Sequence, residues 1–229
     1  MMDSQTLRAP RRLRGVAALG VLTFLGAACT DSSSDAPIEG AVAEDPAPIE
    51  GVHGMAPPAV GGTPSVVVLR PAPSASATGR VGETPRIDQL GLAFTPTQLI
   101  VTTGETVAFT NSETIGHNVH VRVTDVDSTV LLVDTDPGGR AELVFEREGG
   151  YDVTCDEHPG MRAFIYVTSS PYAVFAERDG WFRIPDVPPG SYTASVWSVD
   201  PSLRIERQVE VSGAGREVNL VPGDLGDGR

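Results

Sequence analysis

The sequence predicts an all-β protein with two β-sandwich modules. Gly and Pro occur 25 and 19 times among 229 residues, and helical proteins do not carry so many helix-breaking residues. From residue 80 onward, short apolar and β-branched runs recur at regular spacing with turn residues between them, which is typical of antiparallel strands. An apolar content of 40% suffices for small β cores and excludes a large multi-domain catalyst.

The N-terminal residues 1–28 have the pattern of a signal peptide. Four arginines at positions 8, 11, 12 and 14 precede an apolar run at 16–28, and a basic stretch before a short apolar run is typical of an export signal. This run is too short for a membrane span, which needs about 20 residues. We therefore expect an exported protein.

The end of this signal resembles a bacterial lipobox, because small residues precede Cys29 and a polar segment follows it. Gly26 stands where such boxes usually have Leu. The resemblance implies a lipid anchor on Cys29 and a periplasmic or cell-envelope location. The alternative is cleavage after Ala28 that leaves Cys29 unmodified.

Residues 29–62 predict a disordered tether, since they are rich in Ala, Pro, Gly and acidic residues without periodicity. On this interpretation His53 and Met55 are incidental. Within residues 63–79, the run 65–69 (Ser-Val-Val-Val-Leu) predicts a strand that is followed by a linker.

Two series of strands follow. The first occupies residues 80–168, with strands expected at 92–94, 99–102, 106–109, 118–123, 129–133, 142–145, 151–154 and 164–167. Such a series predicts a Greek-key sandwich or barrel. The second predicts a smaller sandwich over residues 169–222, with strands at 172–176, 181–184, 192–197, 204–211 and 217–221. Residues 223–229 are expected to form a disordered tail.

The charge of the chain excludes general nucleic-acid binding. Thirty acidic residues face 17 basic ones, and every basic residue is Arg. Neutralising phosphates requires clustered cations, which the part beyond the signal peptide lacks.

Chemistry-bearing residues gather in the first sandwich. Residues 155–161 read Cys-Asp-Glu-His-Pro-Gly-Met, and His117 opens a strand upstream. With Cys29 at the N-terminus, Cys155 has no obvious disulfide partner, although a free cysteine can also be a buried small apolar residue. Two His, one Cys and a weak axial Met define blue-copper sites. Structural zinc requires four strong ligands and iron–sulfur clusters require several thiolates.

These residues resemble the cupredoxins, the small blue copper proteins, and most closely the amicyanin and plastocyanin group. The resemblance rests on residues 103–111, 116–121 and 149–162, and the Cys-x-x-His-x-x-Met spacing is amicyanin-like. It implies one type 1 copper with His117, Cys155 and His158 as equatorial ligands and Met161 as the axial ligand.

Two neighbours of the first ligand have expected roles. By the same resemblance, Asn118 ties its strand to the cysteine loop by hydrogen bonds. Strand side chains alternate between faces, so His120 should point away from the copper when His117 points toward it.

The resemblance further implies a single-electron carrier between redox partner proteins, acting as a monomer and not as an enzyme. His158 would be the electron port, and Asp156 and Glu157, where the family has neutral residues, would lower the reduction potential. The alternative is a periplasmic copper-handling module. A multi-copper enzyme would need further His pairs, and the chain has four His.

Residues 172–193 resemble a transthyretin-like module of the kind found as a regulatory domain in carboxypeptidases and surface proteins. The opening strands of such a module would be residues 49–52 and 65–69, which lie before the copper domain. This predicts that the cupredoxin domain is inserted into the module and that the run 65–69 pairs with strands from 171–221. No catalytic set accompanies these residues, so a structural spacer is favoured over ligand binding.

Overall fold

The computed structural model describes residues 51–72, 84–213 and 215–223. The all-β prediction is confirmed, since these residues form strands and one short 3₁₀ turn (Pro201–Leu203) and contain no α-helix. No helix in these ranges is long and apolar enough to cross a bilayer. The expected signal peptide, Cys29, most of the expected tether and nearly all of the expected tail lie outside the described residues.

The strands in chain order are β1 (Val52–Met55), β2 (Val66–Pro71), β3 (Arg86–Gln89), β4 (Phe94–Thr95), β5 (Gln98–Thr102), β6 (Glu105–Asn111), β7 (His117–Val123), β8 (Ser128–Thr135), β9 (Arg140–Phe145), β10 (Gly149–Thr154), β11 (Arg162–Thr168), β12 (Tyr172–Phe175), β13 (Trp181–Ile184), β14 (Gly190–Trp197), β15 (Ile205–Val211) and β16 (Arg216–Asn219).

Strands β3 to β11 form the first sandwich. One sheet has the order β5-β11-β10-β7-β8 and the other β4-β3-β6-β9. The pairs β5–β11 and β3–β6 are parallel, and the other pairs in these sheets are antiparallel. Fully buried side chains such as Ile87, Phe109, Val121 and Ile165 fill the space between the sheets. This core follows from the alternation of inward apolar residues along each strand.

One strand of this sandwich was not predicted. β3 reads Arg-Ile-Asp-Gln and buries Ile87 and the polar Gln89, so it lacks the apolar alternation that marks a strand. The expected strand at 92–94 is wrong in its start, because Leu92 has a φ of 57° and is exposed, and the strand begins at Phe94. Leu92 belongs to the turn between β3 and β4.

The remaining strands form a second sandwich. Two of them precede the first sandwich in the sequence, and the others follow it. The sheets of the second sandwich have the orders β12-β2-β14-β15 and β13-β1-β16. The prediction that the run 65–69 pairs with later strands is confirmed, because β2 lies between β12 and β14 and pairs antiparallel with both. The first sandwich is therefore inserted between β2 and β12. The expected start of the insert near residue 80 lies outside the described residues.

β1 corrects the expectation of a disordered tether up to residue 62. Val52 is fully buried in the core of the second sandwich, and β1 is hydrogen-bonded to β13 on one side and to β16 on the other. The sequence Val-His-Gly-Met lacks the alternation of apolar residues that predicts a strand, because a Gly stands two positions after Val52. A Cβ at Gly54 would collide with the carbonyl oxygen of Val218, so the close approach of β16 requires glycine.

The two sandwiches share a third apolar cluster. Phe164 and Tyr166 on the outer side of β11 pack against Val66, Val68 and Trp197 of the second sandwich. The rings of Phe164 and Trp197 stack with centroids 5.0 Å apart. Two ion pairs flank this cluster, Arg70–Glu148 at 2.9 Å and Arg204–Asp125 at 2.6 Å.

Candidate metal centre

His117 is the first residue of β7 and is buried. Its backbone pairs with Thr135 on β8, and its imidazole points into the end of the first sandwich near the loop that follows β10. The ring places Nδ1 toward this loop, 3.8 Å from the Sγ of Cys155. The start of β7, which pairs with β8 in the five-stranded sheet, thus fixes the position of one imidazole.

The loop 155–161 supplies the other two donors. Cys155 directly follows β10 and is buried, whereas His158 is partly exposed. The loop is closed by two backbone hydrogen bonds, from the Cys155 amide to the Met161 carbonyl (3.3 Å) and from the Met161 amide to the His158 carbonyl (3.1 Å). This tight turn carries Cys155 and His158 back toward each other, and their Sγ and Nδ1 atoms are 3.6 Å apart.

The three donor atoms form a compact triangle. Its third side joins Nδ1 of His117 to Nδ1 of His158 at 3.0 Å. Three donors with bonds of about 2.0–2.3 Å to one ion in a trigonal plane lie roughly 3.5–3.8 Å apart. The two sides that include Sγ match this spacing, and a small rotation of either ring would open the third. Among the described residues this is the one cluster of three His, Cys, Asp or Glu side chains that could hold a metal.

Met161 ends the loop immediately before β11 and is buried in the same apolar cluster as Cys155. The backbone hydrogen bonds to Cys155 and His158 hold it beside the three donors. The role of Met161 as axial ligand stays a prediction, since these hydrogen bonds position its backbone and not its sulfur.

Asn118 ties β7 to the cysteine loop, as predicted. Its side-chain Oδ1 accepts a hydrogen bond from the Asp156 amide at 2.8 Å. Its Nδ2 donates to the Asp156 carboxylate at 3.3 Å. The residue after the first imidazole therefore anchors the residue after the thiol, which fixes the separation of the two donors.

A buried polar network behind the centre was missed at the level of the sequence. The amide of Gln89 donates to the Asn118 carbonyl (3.0 Å), and the hydroxyl of Thr135 donates to Gln89 Oε1 (2.7 Å). Asn111 donates to the carbonyls of Ile115 and Thr135, each at 2.8 Å. Gln89, Asn111 and Thr135 occur in ordinary polar surroundings in the sequence, so only their burial reveals them.

His120 lies outside the triangle, as face alternation predicted. Its Nδ1 is 3.0 Å from Asp156 Oδ1, and its Nε2 is 2.8 Å from the Thr129 hydroxyl. Both ring nitrogens therefore have other partners. The hydrogen bond with His120 is the main reason that the pKa of Asp156 lies below its usual value, and Asn118 contributes to the same effect.

Glu113 lies behind His117. Its Oε1 is 3.5 Å from Nε2 of His117 and accepts a hydrogen bond from the Leu92 amide at 2.7 Å. Nε2 of His117 makes no hydrogen bond to another described residue. The carboxylate thus places negative charge next to the imidazole on the side opposite the thiol, which the sequence did not indicate.

Comparison with known protein families finds a match within the first sandwich. Residues 83–168 match the family described as copper binding proteins, plastocyanin/azurin family. This match supports the cupredoxin resemblance of the first sandwich. The resemblance of the second sandwich to a transthyretin-like module stays a prediction.

Solved structures similar to part of the chain include cupredoxins. An amicyanin mutant in its Cu(I) form, with one methionine replaced by alanine, is 25% identical, with 44% of this chain and 97% of that chain covered and a TM-score of 0.34. A purple cupredoxin from Nitrosopumilus maritimus is 27% identical, with 36% and 98% covered and a TM-score of 0.32. No curated protein matches the chain.

Proposed function

We propose that this chain, whose residues 83–168 match the plastocyanin/azurin family of copper binding proteins, carries single electrons between redox partners through one copper ion. The convergence of one thiol and two imidazoles with their donor atoms 3.0–3.8 Å apart carries this proposal. Copper bound there supplies a Cu(I)/Cu(II) couple, because thiolate suits Cu(I) and imidazole accepts Cu(II).

The ligand set that we propose is Nδ1 of His117, Sγ of Cys155, Nδ1 of His158 and, as a weak axial ligand, the thioether of Met161. Three of these side chains are buried and the fourth is partly exposed. The hydrogen bonds of Asn118 to the cysteine loop hold the donors in place before metal binding. A site fixed in advance changes oxidation state with little movement of its ligands, which favours fast one-electron transfer.

His158 is the proposed electron port, because it is the one partly exposed member of the donor triangle. Nearby loops present exposed apolar side chains: Ile115 precedes His117 by two residues, and Leu92 is bonded to Glu113. An apolar surface next to the port lets a partner approach closely without a large desolvation cost. Asp156 and Glu157 add negative charge to the same rim, which favours a partner with a basic surface.

Absorption spectroscopy and voltammetry test the proposal together. The oxidised protein with one bound copper should be intensely blue, and a reversible one-electron couple should appear at a mid-range potential. A copper-handling protein would bind copper but show no reversible couple, and that result would favour the alternative function. Copper-loaded protein without colour would contradict the ligand assignment itself.

We propose further that the protein is exported and anchored to a membrane by lipid on Cys29, acts as a monomer and has no enzymatic activity. The basic stretch, the short apolar run and the cysteine at its end support this location. Two or more acyl chains suffice for stable anchoring. Cell fractionation with mass analysis of the N-terminal peptide tests it, and a wholly soluble protein without added lipid mass would refute it.

The second sandwich is proposed to be a transthyretin-like structural spacer. The side chains of its apolar core come from its own segments and include none from the loop 155–161. Removing copper should therefore leave its unfolding transition unchanged, whereas a shift on metal removal would indicate a direct role in the copper site.

A further inference from the structure

The outer face of the sheet β13-β1-β16 collects side chains that electron transfer does not use. Along β1, Val52 and Gly54 face the core, so His53 and Met55 face outward. In register with these two residues stand the outward residues of the neighbouring strands, namely Trp181, Arg183, Glu217 and Asn219. An imidazole, a thioether and an indole thus share one small surface.

His53 carries the first sign of a ligand. Its Nδ1 is buried and makes no hydrogen bond to any other described residue. A buried polar atom without a partner is energetically costly, so such an atom is uncommon unless something else binds it. The sequence predicts no role for His53, whereas the structure places it on the middle strand of a three-stranded sheet.

Met55 supplies a second donor on the same face. It is 38% exposed, although an apolar side chain at the centre of a sheet is usually covered. Residues two apart on a strand are separated by about 6.7 Å, and the three rotatable bonds of Met let its sulfur cover that distance toward an imidazole. Trp181 is the cross-strand partner of Met55 on β13, so the two side chains are neighbours on the same face of the sheet.

We propose that His53, Met55 and the indole of Trp181 form a second copper site that takes Cu(I). A thioether with an imidazole is a donor pair that selects Cu(I) over harder ions, and the face of an indole attracts a neighbouring cation. Glu217 and Arg183 stand on opposite sides of His53, so their charges offset each other and a monovalent ion fits better than a divalent one. This site lies on the second sandwich and does not depend on the donor triangle.

Tryptophan fluorescence tests this site on the full chain. Reduced protein that already holds one equivalent of copper is titrated anaerobically with Cu(I) buffered by a chromophoric Cu(I) chelator. We expect one further equivalent to quench part of the emission. The quench should disappear in Trp181→Phe, because the other tryptophan, Trp197, is buried between the sandwiches.

Two donor variants and one matched histidine decide the outcome. His53→Gln and Met55→Leu should each weaken the second equivalent by about tenfold or more, while the blue absorption of the first site stays unchanged. His120→Gln, which removes a histidine from another sheet, should leave the quench at the wild-type affinity. Wild-type affinity in His53→Gln and Met55→Leu, or the absence of any quench, would overturn the proposal.

The same titration separates this site from the proposed electron-transfer centre. If the donor triangle binds no copper, the quenching of Trp181 emission should be complete after the first equivalent of Cu(I). This quenching should still be weakened in Met55→Leu. If only this second site fails, protein with one equivalent of copper turns blue when a sample is oxidised with ferricyanide, and further Cu(I) leaves the emission of the reduced protein unchanged.

Discussion

The two sandwiches bury different kinds of side chain. Near the donor triangle, the first sandwich buries five polar residues, which are Gln89, Asn111, His117, Asn118 and Thr135. The second buries an almost wholly apolar core, with Ser65 and Ser198 as its buried polar residues among those the structure describes. Burying a polar group is costly unless it is hydrogen-bonded. Among the described residues, five of the eight buried polar side chains therefore gather at the end of the first sandwich where chemistry is expected.

The two sandwiches also differ in how they use the chain. The first is one continuous segment, whereas the second joins β1 and β2 to strands that follow the insert. A module that is split in this way must bring together strands that are far apart in the sequence. The Val-rich strand β2 does this, because it lies inside a sheet and pairs with β12 and β14. The insert is held against it by the apolar cluster that includes Phe164 and Trp197.

Cys155→Ser tests the chemical side of this comparison and should have the largest effect. Loss of the thiolate removes the charge transfer that gives the blue colour, so the band should vanish completely. The second sandwich should keep its unfolding transition, because its core does not contact the copper loop. His120→Ala is the control and should retain the band; loss of the band in that variant but not in His117→Ala would refute the ligand assignment.

Gln89→Leu tests whether the polar network is structural. The change removes the side-chain donor to the Asn118 carbonyl and the nearer of the two acceptors of the Thr135 hydroxyl, which keeps only the His117 carbonyl at 3.3 Å. We expect a loss of about 3 kcal/mol in the free energy of unfolding. Ser65→Ala in the second sandwich breaks one hydrogen bond, to the Pro57 carbonyl, and should cost about 1 kcal/mol. Urea denaturation measures both, and equal losses would remove the distinction between the two cores.

Gly150→Ala tests the contact between the sandwiches. An added Cβ would lie 2.5 Å from Trp197 Cζ2 and 2.9 Å from Phe164 Cζ, so the stacked rings must shift. We expect a loss of about 2 kcal/mol. Gly213→Ala, where a Cβ meets open space, should change stability by less than about 0.5 kcal/mol. Thermal unfolding of both variants checks this, and similar values would mean that the ring stack is easily displaced.

Asp125→Asn should have the smallest effect. The hydrogen bond from Arg204 lowers the pKa of Asp125 below its ordinary value of 3.8. A carboxylate of this kind stabilises the fold above pH 3.8, and its contribution is lost as the pH falls through the lower folded pKa. Because Asp125 is 43% exposed, solvent screening keeps the contribution below about 1 kcal/mol at neutral pH.

The pH dependence of the melting temperature tests this pair. The difference between wild type and Asp125→Asn should shrink as the pH falls below 3.8. Asp127→Asn is the matched control, since that carboxylate is 80% exposed and 3.3 Å from Arg122, and it should show almost no difference at any pH. A difference that grows in acid would contradict the assigned direction of the pKa.

The sequence by itself determined the all-β class, the pairing of the run 65–69 with later strands and the residues of the donor triangle. These features depend on local information, because alternation with turn residues marks ordinary strands, and His and Cys at characteristic spacings mark a metal loop. The role of Asn118 followed from the resemblance to cupredoxins, and the exclusion of His120 followed from the alternation of side chains along a strand.

Tertiary structure alone decided the features whose cause lies far along the chain. β1 and β3 are strands because β13, β16 and β6 bond to them, and their own residues give little sign of it. Gln89 and Thr135 became part of the centre only when folding buried them together. His53, Met55 and Trp181 share a face because β1 and β13 pair in register. Strand pairing joins residues that are distant in sequence, and such contacts leave no periodic trace in either segment.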